Sequence, residues 1–350
     1  MPTQTTTSIP PLDMPVAAPM KAYLVDKYKS PMKAGEVAEP TVGDRDVLVD
    51  IHAAGVNLLD AKVRDGEFKL ILPYKAPFVL GHDLAGIVTR VGSAVTRFSV
   101  GDEVYGRPRD GRIGTFAQLI AVHEDDLATK PASLSMTAAA SVPLVALTAW
   151  QALVERAHLQ PGQKVLIHAG SGGVGTYAIQ LAKHLGATVA TTTGTSNVEW
   201  VGDLGADIVI DYRTQDFETV LHDYDVVLDS QGKDTLAKSL RILKPGGIAI
   251  GIVGPPDPDF ARQQGLRFPL RLVMALLSWK TRRAARREDV RYSFLFMRAS
   301  GAQLDGITKL IDSGGLRPIV DQTYPFDEAP QALAHVEGGR TKGKVVITMV

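Results

Sequence analysis

Between residue 20 and about residue 145 the apolar positions fall in short β-branched runs, among them Val47-Leu-Val-Asp-Ile51, Gly86-Ile-Val-Thr-Arg-Val91 and Glu103-Val-Tyr105. Gly, Asp and Pro separate the runs and no stretch of 3.6-residue period dominates, which predicts strands joined by turns. The expectation is a partly closed antiparallel barrel whose first strand opens at Met20. From about Ala146 the pattern changes. Residues 165–168, 188–192, 208–211, 226–229 and 248–253 form continuous apolar strands with helical patterns between them, the mark of a parallel sheet covered on both faces. From about Arg317 the strand texture returns, ending in Lys344-Val-Val-Ile-Thr-Met349. The fold class is therefore α/β, with a doubly wound domain at 146–299 interrupting a barrel domain built from 20–145 and 300–350.

The strand at 165–168 runs into Gly170-Ser-Gly-Gly-Val-Gly175, and Val174, Ala178, Leu181 and Leu185 then recur at helical spacing. Strand, glycine turn and helix are the setting of the dinucleotide fingerprint, here Gly170, Gly172 and Gly175, with Ser171, Gly173 and Val174 between them as further contacts. In a chain with 33 glycines the spacing alone is weak, and the flanking strand and helix carry the assignment. The glycines are expected to supply positive φ and room for a close ligand. An ordinary tight turn is the alternative.

A length of 350 residues suits two domains. Lys plus Arg and Asp plus Glu number 38 each, so overall charge predicts neither nucleic-acid nor membrane binding. Cysteine is absent, which excludes disulfides, thiolate metal ligands and a cysteine nucleophile together. No apolar run reaches the roughly 18 residues that a membrane-spanning helix needs. Residues 1–19, rich in Thr and Pro, match neither a signal nor a transit peptide and are expected to form a disordered tail, which with the lack of cysteine fits a cytoplasmic protein.

One segment, 255–289, breaks the strand and helix alternation. It contains Phe268-Pro-Leu-Arg-Leu-Val-Met-Ala-Leu-Leu-Ser-Trp279 and the basic run Lys280-Thr-Arg-Arg-Ala-Ala-Arg-Arg287. A helical pair covering the sheet is favoured, because the basic run is read as carrying its cations all round the helix. The alternative is an amphipathic basic segment, 268–287, lying on a membrane or packed on a partner.

Further stretches carry a family resemblance. They are Ala53-Ala-Gly-Val-Asn-Leu-Leu-Asp60, Gly81-His-Asp-Leu-Ala-Gly-Ile-Val88 with Val91-Gly92, Phe98-Ser-Val-Gly-Asp-Glu-Val-Tyr105, Ala139-Ala-Ser-Val-Pro-Leu-Val-Ala-Leu-Thr-Ala-Trp150, Leu204-Gly-Ala-Asp-Ile-Val-Ile-Asp-Tyr212 and Gly339-Arg-Thr-Lys-Gly-Lys-Val-Val346. Taken in order with the glycine turn, they make residues 20–350 resemble the zinc-free quinone oxidoreductase and enone oxidoreductase branch of the medium-chain dehydrogenase/reductases. The resemblance implies a GroES-like substrate barrel interrupted by a Rossmann domain, with the active site in the cleft between them. Zinc-using relatives carry cysteine where this chain has Asn57, and only His82, beside Asp83, remains of their ligand set. Two neighbouring side chains do not complete a four-coordinate shell, so no metal is expected and His82 is read as structural or hydrogen-bonding. Without a Lewis acid, reduction of an activated double bond fits better than alcohol oxidation.

An NAD site usually ends its second strand in Asp or Glu, about 20 residues beyond the glycines. Here that strand ends Thr191-Thr-Thr-Gly-Thr-Ser-Asn197, without a carboxylate to repel a 2′-phosphate and with hydroxyls that donate to one, so NADPH is expected. Relatives often have lysine at the place of Val198, and the phosphate clamp is therefore expected to rest on Ser196 and Arg213, beside Tyr212. The resemblance adds Thr148 as a nicotinamide contact, and Thr193, Ser230, Val253 and Lys344 around the same cofactor.

Hydride delivered to the β-carbon of an α,β-unsaturated carbonyl builds charge on the carbonyl oxygen, which the site must stabilise. The loop Asn57-Leu-Leu-Asp-Ala-Lys-Val-Arg64 offers Asn57 to fix the nicotinamide or the carbonyl and Lys62 to donate to the enolate. In the resemblance, enone reductases have lysine at the place of Lys62 and other quinone oxidoreductases tyrosine. Asp60, Phe68 and Tyr74 are expected along the substrate wall. Plainer roles stand beside these: Asn57 capping a turn, Asp60 paired with Arg64, Lys62 solvated and Tyr74 packing. The expected activity is NADPH-dependent reduction of a small enone, enal or quinone. A metal-free carbonyl or alcohol dehydrogenase, or an NADPH-binding partner or membrane-associated protein, are the alternatives. The chain is expected to be a monomer or a homodimer joined through the last Rossmann strand at 290–297.

Overall fold

The computed structural model describes residues 19–349; the expected tail lies outside them except for Pro19, which opens the first strand. In chain order the first part holds β1 (Pro19–Val25), β2 (Lys33–Ala38), β3 (Asp46–Val56), the helix α1 (Leu58–Arg64), β4 (Phe78–Val79), β5 (Leu84–Val91), β6 (Glu103–Gly106), β7 (Leu119–His123) and β8 (Leu127–Thr129). The helices α2 (Met136–Ala140) and α3 (Pro143–Trp150) lead into the second part. There follow β9 (Lys164–Ile167), α4 (Gly173–His184), β10 (Thr188–Thr193), α5 (Val198–Gly202), β11 (Ile208–Asp211), β12 (Tyr224–Asp229), α6 (Lys233–Arg241) and β13 (Leu243–Gly251). The chain ends with α7 (Pro258–Gln263), α8 (Phe268–Leu277), α9 (Trp279–Arg287), β14 (Arg291–Phe294), α10 (Gly301–Asp312), β15 (Val320–Pro325), α11 (Ala329–Glu337) and β16 (Lys344–Thr348).

The barrel combines a small sheet, β2-β1-β4, with a larger one in the order β15-β16-β3-β5-β6-β8. β3 is its hub. Its first half is flanked by β5 and β7 and its last residues by β16, so it is buried nearly throughout. The barrel departs from the expected antiparallel scheme at one place, because β15 and β16 run parallel. The physical cause is α11, which carries the chain back between them; a connection that crosses over in this way returns the next strand in the same direction.

The second sheet has the order β11-β10-β9-β12-β13-β14, and every pair in it is parallel. Its central strands carry apolar side chains on both faces because helices cover both. The two sheets share one core, in which Ala53, Ala85 and Tyr105 of the barrel pack through the buried α3 with Val165, Ile167 and Val189. The Tyr105 hydroxyl donates to the Leu304 carbonyl at 3.0 Å. The last segment is also stitched to the glycine turn, since the Gly343 amide donates to the Ser171 carbonyl at 2.8 Å.

The 255–289 segment forms three helices, α7, α8 and α9, where a pair was expected, and they do not all lie on the sheet. α9 packs Ala285 against the layer of β14 and α6. Lys280, Arg283, Arg286 and Arg287 are exposed and fall on one arc of the helix, while Arg282 is half-buried, so the cations are not distributed all round. The reason is the 3.6-residue period: Ala285 and its neighbours at 281 and 284 take the inner face. α8 buries only Met274 and turns most of its apolar residues outward.

Candidate active site

The turn after β9 is tighter than its glycine content alone would require. None of Gly170, Gly172, Gly173 or Gly175 has a positive φ; the left-handed residue is Ala169, at φ 54°. This corrects the expectation that the glycines serve the turn's dihedral angles. Their service is close approach. A Cβ at Gly170 would lie 2.2 Å from Thr191 Oγ1, and one at Gly175 would lie 2.3 Å from the Ala169 carbonyl oxygen and 2.7 Å from the Gly170 Cα. These contacts seat the start of α4 against the strand ends. The N-cap Gly172 offers no side chain to the first turn, which leaves backbone N–H groups at the positive end of the helix dipole, the arrangement that receives a phosphate.

Gly175→Ala is accordingly expected to destabilise the protein by ~1–3 kcal/mol through overpacking against backbone, visible as a lower melting temperature. At Gly172 a Cβ would meet only the Ala169 carbonyl oxygen, at 3.4 Å. Gly172→Ala is expected to keep the melting temperature and to weaken NADPH in a fluorescence titration.

Beside the turn a cleft of about 280 Å³ opens between the domains. α1 presents Leu58, Leu59 and Lys62 to it, while Asp60, Ala61 and Val63 face the barrel interior. Residues 58 and 62 share a face because they stand one helical turn apart. Thr148 comes from α3, its hydroxyl donating back to the Leu144 carbonyl at 2.7 Å, and Gly172, Gly173, Val174 and Gly175 come from the turn. Ser230 and Val253 follow the ends of β12 and β13. Lys62 Nζ lies 3.3 Å from Glu67 Oε2. Phe68 also lines the cleft and meets Phe296 of the other domain edge-on, ring centroids 5.4 Å apart. Phe296 and its neighbours Leu295 and Met297 were not foreseen in the cleft: they were expected inside the last Rossmann strand at 290–297, but β14 ends at Phe294 and they follow it into the cleft.

A second, polar cavity of about 480 Å³ lies on the other side of the turn. It gathers Ser171, Thr193, Ser196, Tyr212 and Arg213 with His168, Phe217 and the unforeseen Arg340, Thr341 and Lys342. Those last three sit inside the motif that begins at Gly339, and the stitch from Gly343 to Ser171 brings them here. Burial pushes the His168 imidazole down to about 4, so it is neutral at pH 7; it packs edge-on against Phe217. The Thr193 hydroxyl is buried without a partner among the described residues, free to bond a ligand. With uncapped amides at α4, an unpartnered Thr193 and three cations around this cavity, the residues present fit a phosphorylated dinucleotide.

Asn57 and Lys344 line a smaller cavity, of about 260 Å³, below Gly173. They belong to a buried polar network. Lys344 Nζ donates to the Val56 carbonyl at 3.0 Å, to Asn57 Oδ1, and to Asp83 Oδ2 at 3.2 Å. Asn57 Nδ2 donates to the same Asp83 oxygen at 3.0 Å, and the Leu144 amide donates to Asp83 Oδ1 at 2.8 Å. Asn57 is the N-cap of α1, its backbone amide donating to Asp60 Oδ2 at 2.8 Å. Asp60 is fully buried and lies 2.5 Å from His82 Nδ1, so it lines no cleft, and Arg64 turns instead to Asp65 and Glu337. Tyr74 likewise stands apart from the cleft, stacked on Phe78 with its hydroxyl accepting from the Gly111 amide at 3.3 Å. Asp60 and Tyr74 are therefore frame residues of the barrel, against the expectation that they line the substrate wall.

Comparison with known proteins agrees with this architecture. Residues 43–132 match the alcohol dehydrogenase GroES-like domain and residues 204–347 the zinc-binding dehydrogenase family. The chain is 33% identical to the mitochondrial NAD(P)H oxidoreductase RTN4IP1 of Mus musculus, over 95% of this chain and 89% of that protein. It is 32% identical to the chloroplastic NADPH-dependent alkenal/one oxidoreductase of Arabidopsis thaliana, over 96% of this chain and 81% of that one. The solved quinone oxidoreductase of Coxiella burnetii superposes with a TM-score of 0.83 at 29% identity, covering 95% of this chain and all of that one. A barrel interrupted by a doubly wound domain, with the glycine turn at the cleft between them, thus belongs to the medium-chain dehydrogenase/reductase superfamily, in its zinc-free quinone and enone oxidoreductase branch.

Proposed function

We propose that this chain is an NADPH-dependent reductase of α,β-unsaturated carbonyls or quinones that works without a metal. The observation that carries the reading is that Lys62 reaches the same apolar cleft as Thr148 and the glycine turn. NADPH, when bound, supplies the hydride. Thr148, Val174, Ser230 and Val253 would hold its nicotinamide end and Gly172 to Gly175 its phosphates. Ser196, Tyr212, Arg213 and Arg340 would hold the 2′-phosphate, with Thr193 and Ser171 alongside.

Lys62 donates a hydrogen bond to the substrate carbonyl oxygen as charge builds on it, and Glu67 keeps the ammonium at the cleft wall. The apolar walls from Leu58, Phe68, Leu144 and Phe296 exclude water, which strengthens that interaction. After hydride transfer the carbon next to the carbonyl takes its proton from a nearby acid or from water that re-enters the cleft. Asn57 and Lys344 act one layer below, as positioning residues that set α1 against the turn. Metal independence is supported by the same network, because an ammonium already neutralises Asp83 where a ligand set would need open carboxylate and thiolate groups. The domain division at 145/146 and 299/300, a monomer or a dimer through β14, and a cytoplasmic place of action complete the proposal. The mitochondrial and chloroplastic sites named for the two relatives are theirs.

Deuterium transfer tests the reaction. With NADPH labelled at C4, a small enone is expected to give a saturated ketone labelled at the β-carbon, with NADPH consumed at least about tenfold faster than NADH at equal concentration. An allylic alcohol labelled at the carbinol carbon would instead assign a carbonyl reductase.

A further inference from the structure

The face of α8 opposite Met274 has no protein partner among the described residues. Phe268, Leu272, Val273, Leu276 and Leu277 are all exposed, from 45% for Val273 to 78% for Phe268, and Trp279 at the start of α9 is 47% exposed. On a helix of 3.6 residues per turn these α8 positions, with Pro269, fill one continuous arc of about half the circumference. Arg267, the N-cap of α8, and Arg271 border the arc on one side, and Lys280, Arg283, Arg286 and Arg287 form the outward arc of α9. The Arg283 guanidinium lies over the Trp279 ring at 5.1 Å, which joins the apolar and the cationic parts into one surface. No carboxylate occurs between Asp259 and Glu288, and none of these cations makes an ion pair among the described residues. In a chain whose formal net charge is zero, this is a strongly one-signed patch.

We infer that this surface docks the protein on an anionic lipid bilayer, with the apolar arc of α8 entering the headgroup boundary and the α9 cations meeting lipid phosphates. Charge decides between the two simplest occupants. A second copy of the chain would bring the same row of arginines against itself, and like charges facing one another oppose a symmetric interface. An anionic membrane satisfies both halves of the surface, burying the apolar side chains while pairing the cations. No helix among the described residues is long and apolar enough to cross a membrane, so the attachment is peripheral. The inference does not rest on the proposed reaction and stands whichever substrate the cleft takes.

The test is flotation of the full chain with vesicles of phosphatidylcholine alone and of phosphatidylcholine with one quarter phosphatidylglycerol. Wild type is expected to float with the anionic vesicles, to leave them at high salt and to ignore the neutral ones. Leu272→Glu with Leu276→Glu is expected to lower the bound fraction at least about tenfold, and each of Lys280→Gln, Arg283→Gln and Arg287→Gln about fivefold. All of these positions are on the surface, and unchanged NADPH affinity of each variant shows that the fold is kept. Wild type failing to float, or the double variant floating like wild type, overturns the inference. So does light scattering that shows a dimer broken by the double variant while vesicles are ignored, which would make the face a self-interface.

Discussion

Lys62→Ala is expected to lower kcat with a small enone about a hundredfold while leaving the Kd for NADPH within about twofold of wild type. Removing one donor to a developing oxyanion typically costs about 10²–10³ in rate. The lower figure applies here because the Lys62 side chain keeps 28% exposure and water can partly replace it. Lys62 contacts the cleft from α1, not the polar cavity that gathers the cations, so the loss falls on the chemical step. Single-turnover NADPH oxidation followed by absorbance, beside a fluorescence titration, separates the two quantities. Glu67→Gln loosens the ammonium without removing it and is expected to cost only a fewfold. Turnover unchanged in Lys62→Ala would make this a solvated surface lysine and would remove the enolate donor from the mechanism.

The second large effect concerns the choice of cofactor. Arg213 follows β11 and Arg340 precedes β16, far apart in sequence, yet both face the cavity that holds Ser196 and Tyr212. A charge-assisted hydrogen bond contributes about 1.5–3 kcal/mol, and because both guanidiniums are exposed the lower end applies after screening. Arg213→Ala and Arg340→Ala are each expected to raise the Kd for NADPH about tenfold, and the double variant up to about a hundredfold if the two contacts act independently. The Kd for NADH, which lacks the 2′-phosphate, is expected to stay near wild type. Equal losses for NADH and NADPH in the double variant would place the 2′-phosphate elsewhere.

The two arginines show where sequence legibility ends. Arg213 was readable because it follows β11, the third strand of the doubly wound unit, where the family resemblance places cofactor contacts, a relation of chain order. Arg340 was not, since it enters the cavity only through the contact of Gly343 with Ser171 across the domain boundary. Asp60 is the reverse case. Its place in a motif with Asn57 suggested substrate contact, but the turn of α1 that points Lys62 at the cleft points Asp60 at His82. The glycine turn was legible from the strand before it and the helix after it, but the positive φ expected of its glycines is not found, because φ angles depend on how α4 seats against β9 and β10.

Periodicity and composition by themselves determined the alternation of strands, the interruption of one β-rich unit by a doubly wound one, the fingerprint turn, the lack of a carboxylate beyond it and the lack of cysteine. These are properties of neighbours along the chain, which hydrophobic period and residue chemistry encode directly. Only the tertiary structure decided which residues share a cavity, that Asn57 and Lys344 lock together beneath the turn, that the last segment supplies cations to the polar cavity beside it, and that α8 turns its apolar face outward. Each of these depends on which face of an element meets which neighbour, and that is set by packing between segments distant in sequence.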